Sequence, residues 1–119
     1  MAFTLTSRLS GEVTVLDLSG RLELGGGAPV LREMLQNVTA GGARKILLNL
    51  REVSFIDSSG LGEIASGHAR AKSGGTALKL VGLRKRAEDL FQMTGLYRIL
   101  DVYAEESDAL RSWDESPVS

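Results

Sequence analysis

Residues 45–50 constrain the fold of this chain more than any other segment. They read Lys-Ile-Leu-Leu-Asn-Leu, a short and nearly continuous apolar run. Such a run is typical of a strand that is covered on both faces, as the strands of a parallel sheet are. Residues 77–81 form a second run of this kind. The sequence therefore predicts an α/β domain with these two strands buried inside its sheet.

Turn residues and apolar spacing place the other elements. Extended runs at residues 5–9 and 13–18 flank Ser10-Gly11 and predict a hairpin, with Ser19-Gly20 closing the second strand. Apolar residues at helical spacing predict four helices, at about residues 28–40, 59–72, 83–94 and 105–113, with extended segments at 54–56 and 99–103. The predicted order is β-β-α-β-α-β-α-β-α. It describes a single α/β domain over residues 1–113 with a mixed, mostly parallel sheet, followed by a loose tail at 114–119.

Composition excludes several classes of function. The 119 residues include 14 Lys and Arg against 15 Asp and Glu, which leaves a net charge of −1 and argues against a nucleic-acid-binding protein. The chain has no cysteine and no His or Asp/Glu cluster with the spacing of metal ligands, so no metal site is expected. No apolar run is long enough to span a bilayer, and the first residues do not read as a signal peptide, so we expect a cytoplasmic protein without direct membrane insertion.

One segment carries most of the functional information. The buried strand is followed by a short extended stretch and then by Asp57-Ser58-Ser59-Gly60-Leu61-Gly62, where a helix is predicted to begin. Two other stretches accompany it, Ser19-Gly20-Arg21-Leu22-Glu23 and Leu90-Phe91-Gln92-Met93-Thr94-Gly95-Leu96. In this order of elements, the three stretches resemble the STAS domain family of bacterial anti-sigma factor antagonists. The resemblance extends over nearly the whole chain.

The resemblance implies that the protein is a switch. In the family, the serine directly after the aspartate accepts a phosphate; that position is Ser58 here, with Ser59 as the second choice. The implied partner is an anti-sigma factor that is also a serine kinase. The unphosphorylated antagonist binds this kinase, the phosphorylated antagonist leaves it, and a phosphatase resets the cycle. The resemblance implies neither a cofactor nor a catalytic activity of the chain itself.

The surface expected to meet the partner surrounds the start of the second predicted helix. It comprises Glu23, Asp57, Ser58, Ser59, Gly62, Glu63 and Ser66, with the glycines at 25–27 beside it as a flexible connector. Two of these positions depart from the family's pattern. Glu23 stands where the family usually has aspartate, and Glu63 where it usually has an apolar residue. Glu63 is expected to add negative charge near the phosphate acceptor, at the expense of kinase docking.

The position of Ser58 suits a phosphate, although the same residues also suit a simple helix cap. Backbone N–H groups at a helix start have no partner within the helix, and the helix dipole favours negative charge there. The fold should therefore tolerate the phosphate, which adds a charge of about −1.5 to −2. An aspartate or serine before an apolar helical pattern is most often only a cap. The two functions are compatible if Asp57 caps the helix while Ser58 is modified.

Three other features have simpler explanations than catalysis. His68 lies ten residues beyond Ser58 on the same predicted helix, about 15 Å away, so the two side chains cannot share a proton. The glycines at 25–27 lack the lysine and hydroxyl of a phosphate-binding loop. Arg84-Lys85-Arg86 is expected to be a solvated helix start, with contact to a partner or an acidic lipid as the alternative.

A second hypothesis keeps the fold and changes the function. The chain would then be a STAS subunit that does not switch and that docks on a membrane transporter or on a larger signalling assembly. A small nucleotide-binding module or a serine-dependent enzyme is disfavoured because the sequence lacks the motifs that either would need.

Overall fold

A five-stranded sheet forms the centre of the fold in a computed structural model that describes residues 3–114. Its strands and helices follow one another in the predicted order. They are β1 (Thr4–Ser10), β2 (Val13–Leu22), α1 (Gly27–Ala40), β3 (Lys45–Ile56), α2 (Ser58–Ser73), β4 (Ala77–Val81), α3 (Lys85–Met93), β5 (Asp101–Tyr103) and α4 (Glu106–Asp114). A short 3₁₀ turn, Leu96–Arg98, precedes β5. Among the helices described, none is long and apolar enough to cross a membrane.

The sheet is mixed and mostly parallel, as predicted. The strands lie side by side in chain order, β1 antiparallel to β2 and the other neighbours parallel. The predicted hairpin is present, and its turn begins at Gly11 with a φ of +60°, a conformation that glycine adopts without strain. Side chains from both faces of β3 and β4 are buried, Leu48 and Leu80 in one core cluster and Leu47 and Val81 in another, which explains the nearly continuous apolar runs.

The two faces of β2 pack against different helices. Leu16 and Leu18 belong to the larger core cluster, which includes side chains of α1, α2 and α3. Val13 and Val15 belong to a smaller cluster on the other face, with α4. This division arises because successive side chains of a strand point to opposite faces.

Several element boundaries differ from the predictions. Strand β2 does not close at Ser19-Gly20 but continues to Leu22, and residues 54–56 are the end of β3 rather than a separate segment. Two register shifts between these strands let both continue in parallel. The third helix begins at Lys85, and the fourth spans Glu106–Asp114. The last strand is only Asp101–Tyr103, because the N–H groups of Ile99 and Leu100 bond back to the Leu96 carbonyl oxygen instead of joining the sheet. The predicted tail begins at Asp114, which ends α4, and its residues 115–119 lie outside the described part.

Helix α2 starts very close to the end of β2. The N–H of Asp57 donates to the carbonyl oxygen of Leu22 over 3.2 Å. A Cβ atom placed on Gly60 would lie 2.2 Å from that same oxygen, nearer than any real contact allows. Glycine at this position lets the first turn of α2 rest directly on the β2 backbone. The start of α2 is therefore held in a defined place beside the turn that leads into α1.

Candidate functional site at the start of α2

Asp57 joins the start of α2 to the turn after β2. Its Oδ1 accepts a hydrogen bond from the Gly60 N–H over 2.9 Å, which caps the helix as predicted. Its Oδ2 accepts a second bond from the Leu24 N–H over 3.0 Å, across 33 residues of sequence. One carboxylate therefore satisfies two backbone donors from two different segments. The sequence predicted the cap, but nothing local in it indicated the bond to Leu24.

Ser58 is the first residue of α2, and its side chain is exposed. Ser59 is half-buried and lines a small groove between α1 and α2. Because Asp57 supplies the cap, the Ser58 hydroxyl is not needed for that purpose, and it makes no side-chain hydrogen bond within residues 3–114. Of the two serines, Ser58 is thus the more accessible to a modifying enzyme.

The groove collects most of the surface predicted from the sequence. It has a volume of about 270 Å³. Its lining residues are Leu24, Ala28, Pro29, Arg32, Ser59, Gly62, Glu63 and Ser66. Four of the seven predicted positions lie here, while Glu23, Asp57 and Ser58 lie next to it around the helix start. The structure therefore brings the predicted positions together on one surface.

An arginine compensates the charge of Glu63. This differs from the expectation that Glu63 would add negative charge near Ser58. The Arg32 guanidinium donates to Glu63 Oε2 over 2.6 and 3.0 Å. The Glu63 side chain is only 13% exposed, so it lies beneath the arginine rather than at the surface. Arg32 stands 31 residues earlier on α1, and sequence reasoning gave no reason to pair the two.

Glu23 is also part of an ion pair. Arg21 Nε donates to Glu23 Oε2 over 2.9 Å, and the Arg21 guanidinium stacks 4.2 Å from the centre of the Phe55 ring. The Glu23 carbonyl oxygen accepts N–H bonds from Gly26 and Ala28, each 3.0 Å long. The glycines at 25–27, predicted to be a connector, form a hydrogen-bonded turn, and Gly27 already belongs to α1.

An exposed apolar side chain at the groove was not anticipated from the sequence. Leu24 is 69% exposed and is one of the residues that line the groove. Exposed single apolar residues are common, but this one lies at a groove beside the start of α2. Buried apolar anchors supply much of the affinity of protein interfaces. The surface thus combines a modifiable hydroxyl, neutralised charges and apolar contacts.

The described residues include no cluster suited to a metal ion, and the one histidine of the sequence lies apart from Ser58. Within residues 3–114, no group of three or more His, Cys, Asp or Glu side chains is placed to hold a metal ion. His68 lies half-buried in α2, and its Nδ1 is buried without a hydrogen-bond partner. It lies about three helical turns from Ser58, as the sequence predicted.

Ionisation of Asp57 is expected to make stability depend on pH in the acid range. The N–H groups of Gly60 and Leu24 bind the charged carboxylate and lower the pKa of Asp57 in the folded protein. The resulting stabilisation is complete above the unfolded pKa of about 4 and is lost as the pH falls through the lower folded pKa. Urea denaturation followed by circular dichroism at a series of pH values should show this loss in the wild type and a smaller loss in Asp57→Asn.

Asp101→Asn is the matched control for this experiment. Asp101 is an exposed residue of β5, and its side chain makes no hydrogen bond to the described residues. Its replacement should leave the pH dependence of the urea midpoint as it is in the wild type. An Asp57→Asn protein that loses stability with acid as steeply as the wild type would contradict the role assigned to Asp57.

Comparisons with known proteins give consistent matches. The family model for the STAS domain matches residues 5–109. The chain is 38% identical over 84 residues to an anti-sigma-B factor antagonist of Bacillus subtilis (strain 168), a match that covers 71% of this chain and 76% of the relative. An anti-sigma factor antagonist from Mycobacterium paratuberculosis has the same fold, with a TM-score of 0.85 at 23% identity over 93% of each chain. The Bacillus cell fate determinant SpoIIAA, solved in its phosphorylated form, has a TM-score of 0.70 at 25% identity over 93% of this chain and 99% of its own.

Proposed function

This chain belongs to the STAS domain family, and on that premise we propose that it is an anti-sigma factor antagonist that works by partner switching. The unphosphorylated protein binds an anti-sigma factor that is a serine kinase. Phosphorylation of Ser58 ends this binding, and a phosphatase restores the first state. The observation that carries the proposal is the exposed Ser58 at the start of α2, directly after an aspartate that already caps the helix.

Two relatives support the proposal. The Bacillus subtilis protein at 38% identity is named an anti-sigma-B factor antagonist. SpoIIAA at 25% identity has been solved in a phosphorylated form, so a domain of this fold can carry a phosphate and remain folded. The chain needs no catalytic group of its own, because the kinase and the phosphatase supply the chemistry. The cycle is proposed to take place in the cytoplasm.

The charges around Ser58 suggest how the phosphate acts. The two arginines nearest the helix start are already paired, Arg21 with Glu23 and Arg32 with Glu63. A phosphate on Ser58 therefore finds no unpaired arginine in this site, and its charge stays on the surface. The phosphate is expected to oppose docking directly, since burial of an uncompensated charge costs several kcal/mol.

The apolar residues around the groove suggest what the partner contacts. Leu24 offers exposed apolar area, and the groove between α1 and α2, which Leu24 lines, offers a recess beside it. An apolar side chain of the kinase seated there would bring its catalytic site next to Ser58. The same surface then serves both recognition and modification.

Phosphate mapping tests the proposal. The protein is incubated with ATP and the candidate kinase that co-purifies with it, and the modified residue is identified by mass spectrometry. We expect phosphate on Ser58, none on the Ser58→Ala variant and continued modification of Ser59→Ala. A transporter subunit that co-purifies in place of a kinase, with neither serine modified, would contradict the proposal and favour a docking subunit that does not switch.

A further inference from the structure

Strand β3 is longer than its neighbour β4. Its residues 45–49 pair with β4, whereas its pairing with β2 continues to Ile56. On the side that faces away from β2, the Arg51 carbonyl oxygen accepts a bond from Arg84 Nε over 2.9 Å. Among residues 3–114, no backbone hydrogen bond from β4 or α3 reaches residues 52–56. The end of β3 therefore presents an open edge of the sheet.

A groove of about 620 Å³ runs along this open edge. One wall is the β3 segment at residues 53–56, and the other is formed by Ala87, Leu90 and Met93 of α3. Val53 and Ile56 are buried, while Met93 is 83% exposed. Methionine is flexible and adapts to different apolar partners. The volume lies within the range of about 300–1,000 Å³ that is usual for ligand pockets.

The entrance to the groove is positively charged. It is lined by Arg84, Lys85 and Arg86, with Asp89 as its acidic member. Lys85 pairs with Asp89 over 3.1 Å. Within the described part of the chain, no carboxylate lies at ion-pair distance from Arg84 or Arg86. The Arg86 guanidinium is thus available to an acidic ligand next to an apolar recess, and Arg84, whose Nε is held by the Arg51 carbonyl oxygen, can offer its terminal nitrogens.

We propose that this groove binds an extended, acidic and apolar segment of a partner protein by strand addition. The backbone of the segment would pair with the open edge of β3, which is the usual basis of such recognition. Side chains of an added strand alternate between two directions. Alternate apolar residues would enter the recess towards Leu90 and Met93, and the acidic residues between them would meet Arg84 and Arg86.

The proposed groove is separate from the phosphorylation site. It shares no lining residue with the groove that holds Ser59, which lies between α1 and α2. The two sites are joined through the chain, because Ile56 at the end of the open edge is followed directly by Asp57. They are also joined through Phe55, a lining residue whose ring stacks on Arg21, the ion-pair partner of Glu23. Ser58 itself does not line the groove, and the inference does not rest on its phosphorylation.

A peptide titration tests the inference. The probe is the peptide Asp-Leu-Glu-Val-Glu-Leu-Asp, added to the ¹⁵N-labelled full chain and followed by amide chemical shifts up to about 1 mM. We expect shifts confined to residues 52–56 and 84–93, and weaker binding as salt is added. The same peptide with N-methyl groups on two successive residues, its valine and the glutamate after it, loses one donor on each edge of the strand, whichever edge faces β3, and should bind at least about tenfold more weakly. A peptide with lysine in place of the acidic residues should not bind.

Variants of the protein complete the test. Arg86→Glu reverses one exposed charge at the entrance and should weaken binding about tenfold, whereas Arg70→Glu on α2 should leave it unchanged. Ser58→Asp should also leave it unchanged, so failure here is distinguishable from failure of the switch. Any one of three results would overturn the inference: no shift at the highest peptide concentration, equal binding of the N-methylated peptide, or shifts at this groove only with anionic vesicles or RNA.

Discussion

Phosphorylation of Ser58 is expected to weaken binding to the kinase partner at least about a hundredfold, or about 2.7 kcal/mol. Ser58 lies exposed at the start of α2, next to the charged carboxylate of Asp57. The phosphate adds about −1.5 to −2 charges at this point. Arg21 and Arg32 are already engaged by glutamates, so the added charge is not neutralised within the site. On docking, the phosphate must either give up its contacts with water or lie against the partner without a compensating charge. Either outcome weakens docking.

Isothermal titration calorimetry with the kinase measures this effect on a set of variants. Ser58→Ala keeps the size of the site and should bind as tightly as the unmodified protein, even in the presence of ATP. Ser58→Asp should bind more weakly, although a carboxylate carries less charge than a phosphate. Ser73→Asp is the matched control, because it makes the same change at the exposed far end of α2, about 22 Å from Ser58, and it should bind as tightly as the wild type. Unchanged affinity of both the phosphorylated protein and Ser58→Asp would refute the switch.

The fold was largely predictable because its signals are local. The apolar run of β3 and the helical spacing in α1 and α2 depend on which residues follow one another, and these predictions agree with the structure. The errors in the predicted element boundaries lie where pairing between strands determines where a strand ends. Gly20 reads as a strand end, yet register shifts between β2 and β3 carry both strands beyond it. Those shifts depend on contacts between segments that are far apart in sequence.

The same distinction applies to the site. The cap at Asp57 follows from neighbouring residues, and the structure confirms it. Ser58 lies exposed at the helix start, as expected, and its role as phosphate acceptor stays a prediction that the resemblance implies. The bond from Leu24 to Asp57 and the pair of Arg32 with Glu63 join residues 33 and 31 positions apart. Glu63 therefore looked like an uncompensated charge in the sequence, and only the packing of α1 on α2 shows its partner.

The open edge of β3 could not be predicted for a related reason. Its existence depends on the different lengths of β3 and β4, and the sequence analysis divided β3 into two separate segments. Arg84-Lys85-Arg86 was recognised as a basic run, but the recess beside it is formed by the end of β3 and by α3 together. A surface formed by two elements is visible in the sequence only as its separate parts.

Gly60→Ala is expected to destabilise the protein by about 3 kcal/mol or more, which is a large part of the stability of a domain of this size. The new Cβ would lie 2.2 Å from the Leu22 carbonyl oxygen and 2.9 Å from Leu22 Cγ. The oxygen belongs to the backbone, so relief requires α2 or the end of β2 to move. Alanine favours a helix over glycine by only about 1 kcal/mol, which does not offset the collision.

Gly62→Ala is the matched control, because it makes the same change two residues later in the same helix. Gly62 is exposed, and a Cβ atom there would have no neighbour within 4 Å. This variant should be as stable as the wild type or more stable by up to about 1 kcal/mol. Urea denaturation followed by circular dichroism compares the two proteins at one pH. If Gly60→Ala is as stable as Gly62→Ala, the close contact between α2 and β2 does not hold the start of α2, and the placement of Ser58 needs another explanation.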